Sequence, residues 1–167
     1  MGEKETIIKE MILYAGLCDF RGCYSFMHDW FKDEGYGVTE DSYTEKVKGD
    51  VKEIVVKWTI KKTVSDYYKA EIIVKISVQG MKDVEVEVDG TRKKMNQVDE
   101  IKIELKGILE VDHQNKWGKR STSRFMKDLY HKYIVPERTD EMKGKIKDTI
   151  QDFKEEVKAF LELTGKK

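Results

Sequence analysis

Between Lys52 and Val111 the chain alternates between apolar and polar side chains, and this pattern limits the fold more than any other feature. Ile54, Val56, Trp58 and Ile60 fall on one face of an extended segment, with Glu53, Val55, Lys57, Thr59 and Lys61 on the other. Tyr68, Ala70, Ile72, Val74, Ile76 and Val78 repeat the pattern against Lys69, Glu71, Lys75, Ser77 and Gln79. Val84, Val86 and Val88 alternate with acids, and Ile101, Ile103, Leu105, Leu109 and Val111 alternate with Lys and Glu. Successive side chains on a strand point to opposite faces, so this is the signature of strands with one greasy side. A parallel sheet buried on both faces would show unbroken apolar runs; alternation specifies an antiparallel sheet with one wet face.

Turn chemistry divides the block. Asp89-Gly90 is a two-residue hairpin signal, because both residues tolerate the positive φ that a type I′ turn requires. Gly49-Asp50, Val64-Ser65-Asp66, Gly80-Met81-Lys82-Asp83 and Met95-Asn96-Gln97 read as further turns. The expected strands are 38–48, 51–63, 66–79, 83–88, 91–95 and 98–111. The first of these is poor in apolar residues and suits an edge. At ~3.3 Å per residue a strand of a dozen residues is about 40 Å long, and sheets of such strands twist and curl.

The flanks supply cover for the greasy face. Glu5 to Ala15 fits both a helical stripe (Ile7, Ile8, Met11, Ile12, Ala15) and a strand face (Ile7, Met11, Leu13). Gly16 and the helix that follows favour a strand. Asp19 to Glu34 is that helix, with Asp19 as N-cap, Gly35 as its stop, and Phe20, Cys23, Tyr24, Met27, Trp30 and Phe31 at three- and four-residue steps. After Val111 a polar connection leads to a helix from about Ser121 to Ile134, ended by Pro136. A last helix runs from about Thr139 to Leu163 with Met142, Ile146, Ile150, Phe153, Val157, Phe160 and Leu161 as its stripe. The expected fold is therefore α+β: a curved antiparallel sheet of about seven strands, β-α-β6-α-α, in one domain spanning 1–167.

Composition narrows the function classes. The 32 basic and 32 acidic residues balance, so net charge gives no support for a nucleic-acid partner. No apolar stretch is long enough to span a membrane, and no secretory leader is visible. Cys18 and Cys23 are too few for a disulfide framework, which points to a reduced, cytoplasmic protein. Abundant Lys and Glu with one Pro and only Asn96 and Asn115 resemble a thermophile's surface. His28, His113 and His131 stand at no metal-ligand spacing from one another or from the cysteines, so neither a metal nor another cofactor is expected. No catalytic constellation is present; Asp112-His113 reads as polar loop. Trp117 to Thr122 lacks the upstream glycine of a phosphate-binding loop. What remains there is a basic cluster of Lys116, Lys119, Arg120 and Arg124 at a helix start, a candidate anion site.

The element order, strand, helix, strand meander and C-terminal helices, resembles the helix-grip fold of the START-like (SRPBCC) superfamily, which includes polyketide-cyclase and lipid-transfer relatives. The resemblance covers nearly the whole chain as architecture and matches no family motif. It departs in having one helix after the first strand, where relatives usually have two, and in the proline that divides the C-terminal part. It implies a cavity between sheet and helices for a small hydrophobic or amphipathic ligand, and a binding role without catalysis. Candidate lining residues are Tyr24, Trp58, Ile60, Ile72, Val74, Ile103, Leu105 and Phe153. The competing expectation is a protein-interaction or scaffold module whose interior is filled.

Overall fold

The computed structural model describes residues 3–65, 67–111 and 135–165. Its elements are β1 (Glu3–Cys18), α1 (Phe20–Asp33), β2 (Gly37–Lys48), β3 (Val51–Thr63), β4 (Tyr68–Val88), β5 (Thr91–Val111) and α2 (Val135–Gly165). The strands form one antiparallel sheet in the order β1-β5-β4-β3-β2. The protein is thus α+β with an antiparallel sheet, as the alternation requires. The anion-site candidates Lys116, Lys119, Arg120 and Arg124, the helix expected at 121–134 and the Asp112-His113 pair lie outside the described residues.

Five described strands replace the seven expected, because two expected turns are bends within longer strands. β4 and β5 pair from Tyr68↔Val111 to Val88↔Thr91; the pairs Gln79↔Glu100 and Lys82↔Gln97 keep one register across Gly80. Gly80 takes φ +64°, and a Cβ there would meet the Asp99 carboxylate. Gly80 therefore makes an irregularity in the strand and not its end. Asn96 and Gln97 are likewise laddered, against Asp83 and Lys82 on one side and Cys18 and Leu17 on the other. Gly and Asn mark bulges as readily as turns, which is why the local sequence misleads here. Asp89 (φ 51°) and Gly90 (φ 78°) do form the hairpin tip.

β1 is a strand, but not with the face expected. Ile12 is fully buried, whereas Met11 and Leu13 are 43% and 56% exposed. Pairing of Ile12 with Ile103 puts the even residues on the inner face. That face includes Glu10, which breaks the apolar pattern and is answered from α2: Lys154 Nζ (2.9 Å) and Gln151 Nε2 (2.8 Å) donate to its carboxylate. These bonds hold the Glu10 carboxyl below its usual range.

α2 begins earlier than Thr139, with Pro136 in its first turn, where a missing N–H costs no helical hydrogen bond. Its buried stripe, Ile146, Ile150, Phe153, Val157 and Leu161, lies within the expected set. It can lie close to β5 because residue 107 is glycine: a Cβ there would stand 2.6 Å from Ile150 Cδ1 and 2.7 Å from Ile146 Cγ2.

The buried apolar residues other than Met95 and Ile108 form one cluster between the sheet, α1 and α2. α1 is capped as expected, Asp19 Oδ1 accepting from Gly22 N at 3.0 Å. It joins α2 through aromatic rings. Phe31 stacks on Phe153 with centroids 4.4 Å apart, Trp30 meets Phe153 edge-on at 5.2 Å, and Phe26 stacks on Phe160 at 4.9 Å. Trp30 Nε1 donates to Glu156.

Cys18 and Cys23 are free and buried. Burial pushes the Cys18 thiol up to about 11 and the Cys23 thiol up to about 12, from about 9. The unfolded chain therefore loses these protons first as pH rises, so their contribution to stability is intact below about pH 9 and is lost between about 9 and 12. The urea midpoint is expected to fall across that window, and to fall less in Cys18→Ala/Cys23→Ala. Equal slopes in both proteins would assign the loss to Tyr14, Tyr24 and Tyr36, whose hydroxyls partial or full burial shifts in the same direction.

Candidate functional site

A groove runs between α1 and the β2–β3 hairpin. Cross-strand pairing sets Tyr43 opposite Val56, Glu45 opposite Ile54 and Val47 opposite Lys52, so all three β2 residues share the inner face of the sheet. α1 begins at Phe20 and covers this face only in part, leaving Tyr43 49% and Val47 57% exposed.

Two clefts lie along the groove and share Tyr24. The first, about 520 Å³, has Phe20, Ile54, Met81 and Met95 among its apolar lining and Tyr24 and Tyr43 beside them. Its charged groups are mixed: Asp19, Glu45 and Asp83 with Arg21, Lys52 and Lys94. Two of the acids already have structural bonds. Asp19 caps α1, and Asp83 accepts from Asn96 Nδ2 at 2.9 Å. Asn96 Oδ1 in turn accepts from Phe20 N at 3.1 Å, tying the start of α1 to β5. Glu45, Arg21, Lys52 and Lys94 therefore remain as the charges with no hydrogen bond or ion pair among the described residues. The second cleft, about 400 Å³, is lined by Trp58, His28, Val38, Glu40, Asp29 and Ser25 in addition to Tyr24.

Tyr24 stands between the clefts as a fixed partition. Its ring meets Trp58 edge-on at 5.0 Å and Phe20 at 6.2 Å. Its hydroxyl donates to Glu40. Burial, reinforced by that carboxylate, pushes the hydroxyl up to about 12, so it stays protonated and acts as a donor at neutral pH. His28 lies edge-on to Trp58 at 6.0 Å, with its Nδ1 3.5 Å from Asp29.

The eight residues proposed to line a cavity are distributed differently. Ile60, Ile72, Val74, Ile103 and Phe153 are fully buried, and Trp58 and Leu105 nearly so. They pack in the core under the sheet. Tyr24 and Trp58 also reach the groove, and Leu105 touches a shallow depression on the opposite face of the sheet. Sequence reasoning missed Tyr43, Met81, Met95 and Asn96. Met81 and Asn96 sit in stretches that read as turns, and Met95 stands where an expected strand meets one, so alternation gives none of the three an inward face. The described residues contain no group of three His, Cys, Asp or Glu side chains able to hold a metal. No described helix is long and apolar enough to cross a membrane.

No family model, curated protein or solved structure matches this chain.

Proposed function

We propose that this protein is a binding module of helix-grip build that takes a small amphipathic ligand in the groove along α1. The observation that carries the reading is the pair of clefts meeting at Tyr24, each within the roughly 300–1,000 Å³ of small-molecule sites, in which apolar side chains stand beside polar and charged ones. The sheet order supports the fold assignment: β1 lies beside the last strand of a meander, with a C-terminal helix packed on β1 and β5, as in a helix grip. The ligand is placed in the groove and not under the sheet, because the side chains there already pack against one another. Tyr24 and Glu40 provide the polar end, and Phe20, Tyr43, Ile54 and Met81 the apolar one.

The test uses decanoate and decylamine as probes, followed by tryptophan fluorescence, since Trp58 lines the second cleft. At least one is expected to bind and to change the emission. Glu45→Trp projects a ring into the first cleft from an exposed strand position and is expected to abolish binding while stability changes by less than about 0.5 kcal/mol. Equal binding by the wild type and Glu45→Trp, or binding of neither probe, would reject the groove as the site.

A further inference from the structure

The outer face of the sheet carries an arrangement that folding alone disfavours. Lys9 on β1 is paired directly with Lys106 on β5, and Lys57 on β3 directly with Lys75 on β4. Directly opposed residues share a face, with Cβ atoms about 4.5–5.5 Å apart, and like charges so placed repel. None of these four ammonium groups has an ion pair or hydrogen bond among the described residues, and Lys9, Lys57 and Lys75 are exposed. The register brings the pairs together: Ile73 lies opposite Lys106, and Glu104 lies between Met11 and Lys75. Glu104 is the one carboxylate in these two rows, and its ion pair, at 3.2 Å, is with a fifth lysine, Lys102.

These lysines line a shallow groove of about 690 Å³ with Met11 and Ile73; the carboxylates that also line it, Glu10 and Glu104, are already bonded, to Lys154 and Gln151 and to Lys102. Met11, Leu13 and Val55 on the same face are among the exposed large apolar side chains of the molecule. Opposed lysines around exposed apolar groups weaken a sheet unless an anionic surface covers them. We propose that this face docks an acidic segment of a partner protein, one that lays an apolar side chain over Met11 and Ile73 and brings carboxylates to Lys9, Lys106, Lys57 and Lys75. Charge complementarity specifies an acidic occupant. The two rows hold no aromatic or arginine side chain on which nucleobases could stack, and they lack the continuous apolar stripe with which helices enter a bilayer. This surface is on the side of the sheet away from the α1 groove and does not depend on it.

The experiment measures fluorescence anisotropy of a labelled glutamate-rich peptide with a central leucine, titrated with the full chain at low and high salt. Binding is expected at low salt and is expected to weaken as salt rises. Lys57→Glu/Lys106→Glu turns each like pair into an opposite pair; it is expected to melt no lower than the wild type and to bind the peptide at least about tenfold more weakly. Lys57→Gln/Lys106→Gln, which removes charge without reversing it, is expected to lose affinity in the same direction. Peptide binding unchanged in both variants would overturn the proposal. So would no peptide binding at low salt, whether or not phosphatidylserine vesicles or a single-stranded oligonucleotide bind instead.

Discussion

Replacing Phe153 by alanine is expected to lower stability by about 3–5 kcal/mol, a large share of the roughly 5–15 kcal/mol of a typical domain. Phe153 is fully buried, stacks on Phe31 and receives the edge of Trp30, so its ring is the buried part of the joint between the two described helices. Truncation removes its buried area, leaves a cavity, and ends two ring contacts of about 0.5–1.5 kcal/mol each. Phe153→Leu keeps most of the volume and should cost distinctly less. Urea denaturation checks both. A loss for Phe153→Ala no larger than that of an exposed substitution such as Glu155→Ala would mean that the helices do not share this core.

The second large effect concerns Gly107. In an open strand, alanine in place of glycine would add about 0.5–1 kcal/mol of stability through the entropy of the unfolded chain. Here the added methyl would meet Ile150 Cδ1, Ile146 Cγ2 and Ile8 Cγ2, the last at 3.0 Å. Two of these are methyls on β-branched carbons, which move only with a rotamer change or a backbone shift. Overpacking of this kind costs about 1–3 kcal/mol, so it outweighs the entropic gain and Gly107→Ala should be destabilising. Gly107→Val should be worse. Ile150→Val removes the nearest methyl, so Gly107→Ala/Ile150→Val is expected to lose less than the sum of the single variants. Strict additivity would mean that the contact of α2 with β5 is not what limits residue 107.

The parts of the fold that were legible are those set by a local period. β2, β3, α1 and the buried stripe of α2 follow directly from alternation, three- and four-residue steps, and the Asp19 cap with Gly35 after it. Where a polar residue occupies an inner position, the period misleads. Glu10 made the inner face of β1 look like the outer one, because its partners Lys154 and Gln151 lie on another element more than a hundred residues away. Gly80 and Asn96 misled for a different reason: their permissive backbone or short polar side chain serves a turn, a bulge or a helix anchor equally well.

The same division runs through the candidate sites. That Trp58, Ile72 and Ile103 face inward was readable from their neighbours; whether that face enclosed a ligand or a filled core depended on how closely α2 packs against β5, where Gly107 admits it. The Tyr24 groove exists because β2 and β3 extend beyond the cover of α1, and relative element placement leaves no trace in a one-dimensional pattern. The opposed lysines were all visible in the sequence as the polar half of each strand. Only strand register paired Lys9 with Lys106 and Lys57 with Lys75. The sequence by itself determined the antiparallel sheet, its inner residues in β3 to β5, and the helices that cover it, because these depend on side-chain spacing within single segments. Tertiary structure alone decided the strand count, the face of β1, the groove and the lysine lattice, because each depends on residues brought together from strands and helices far apart in the chain.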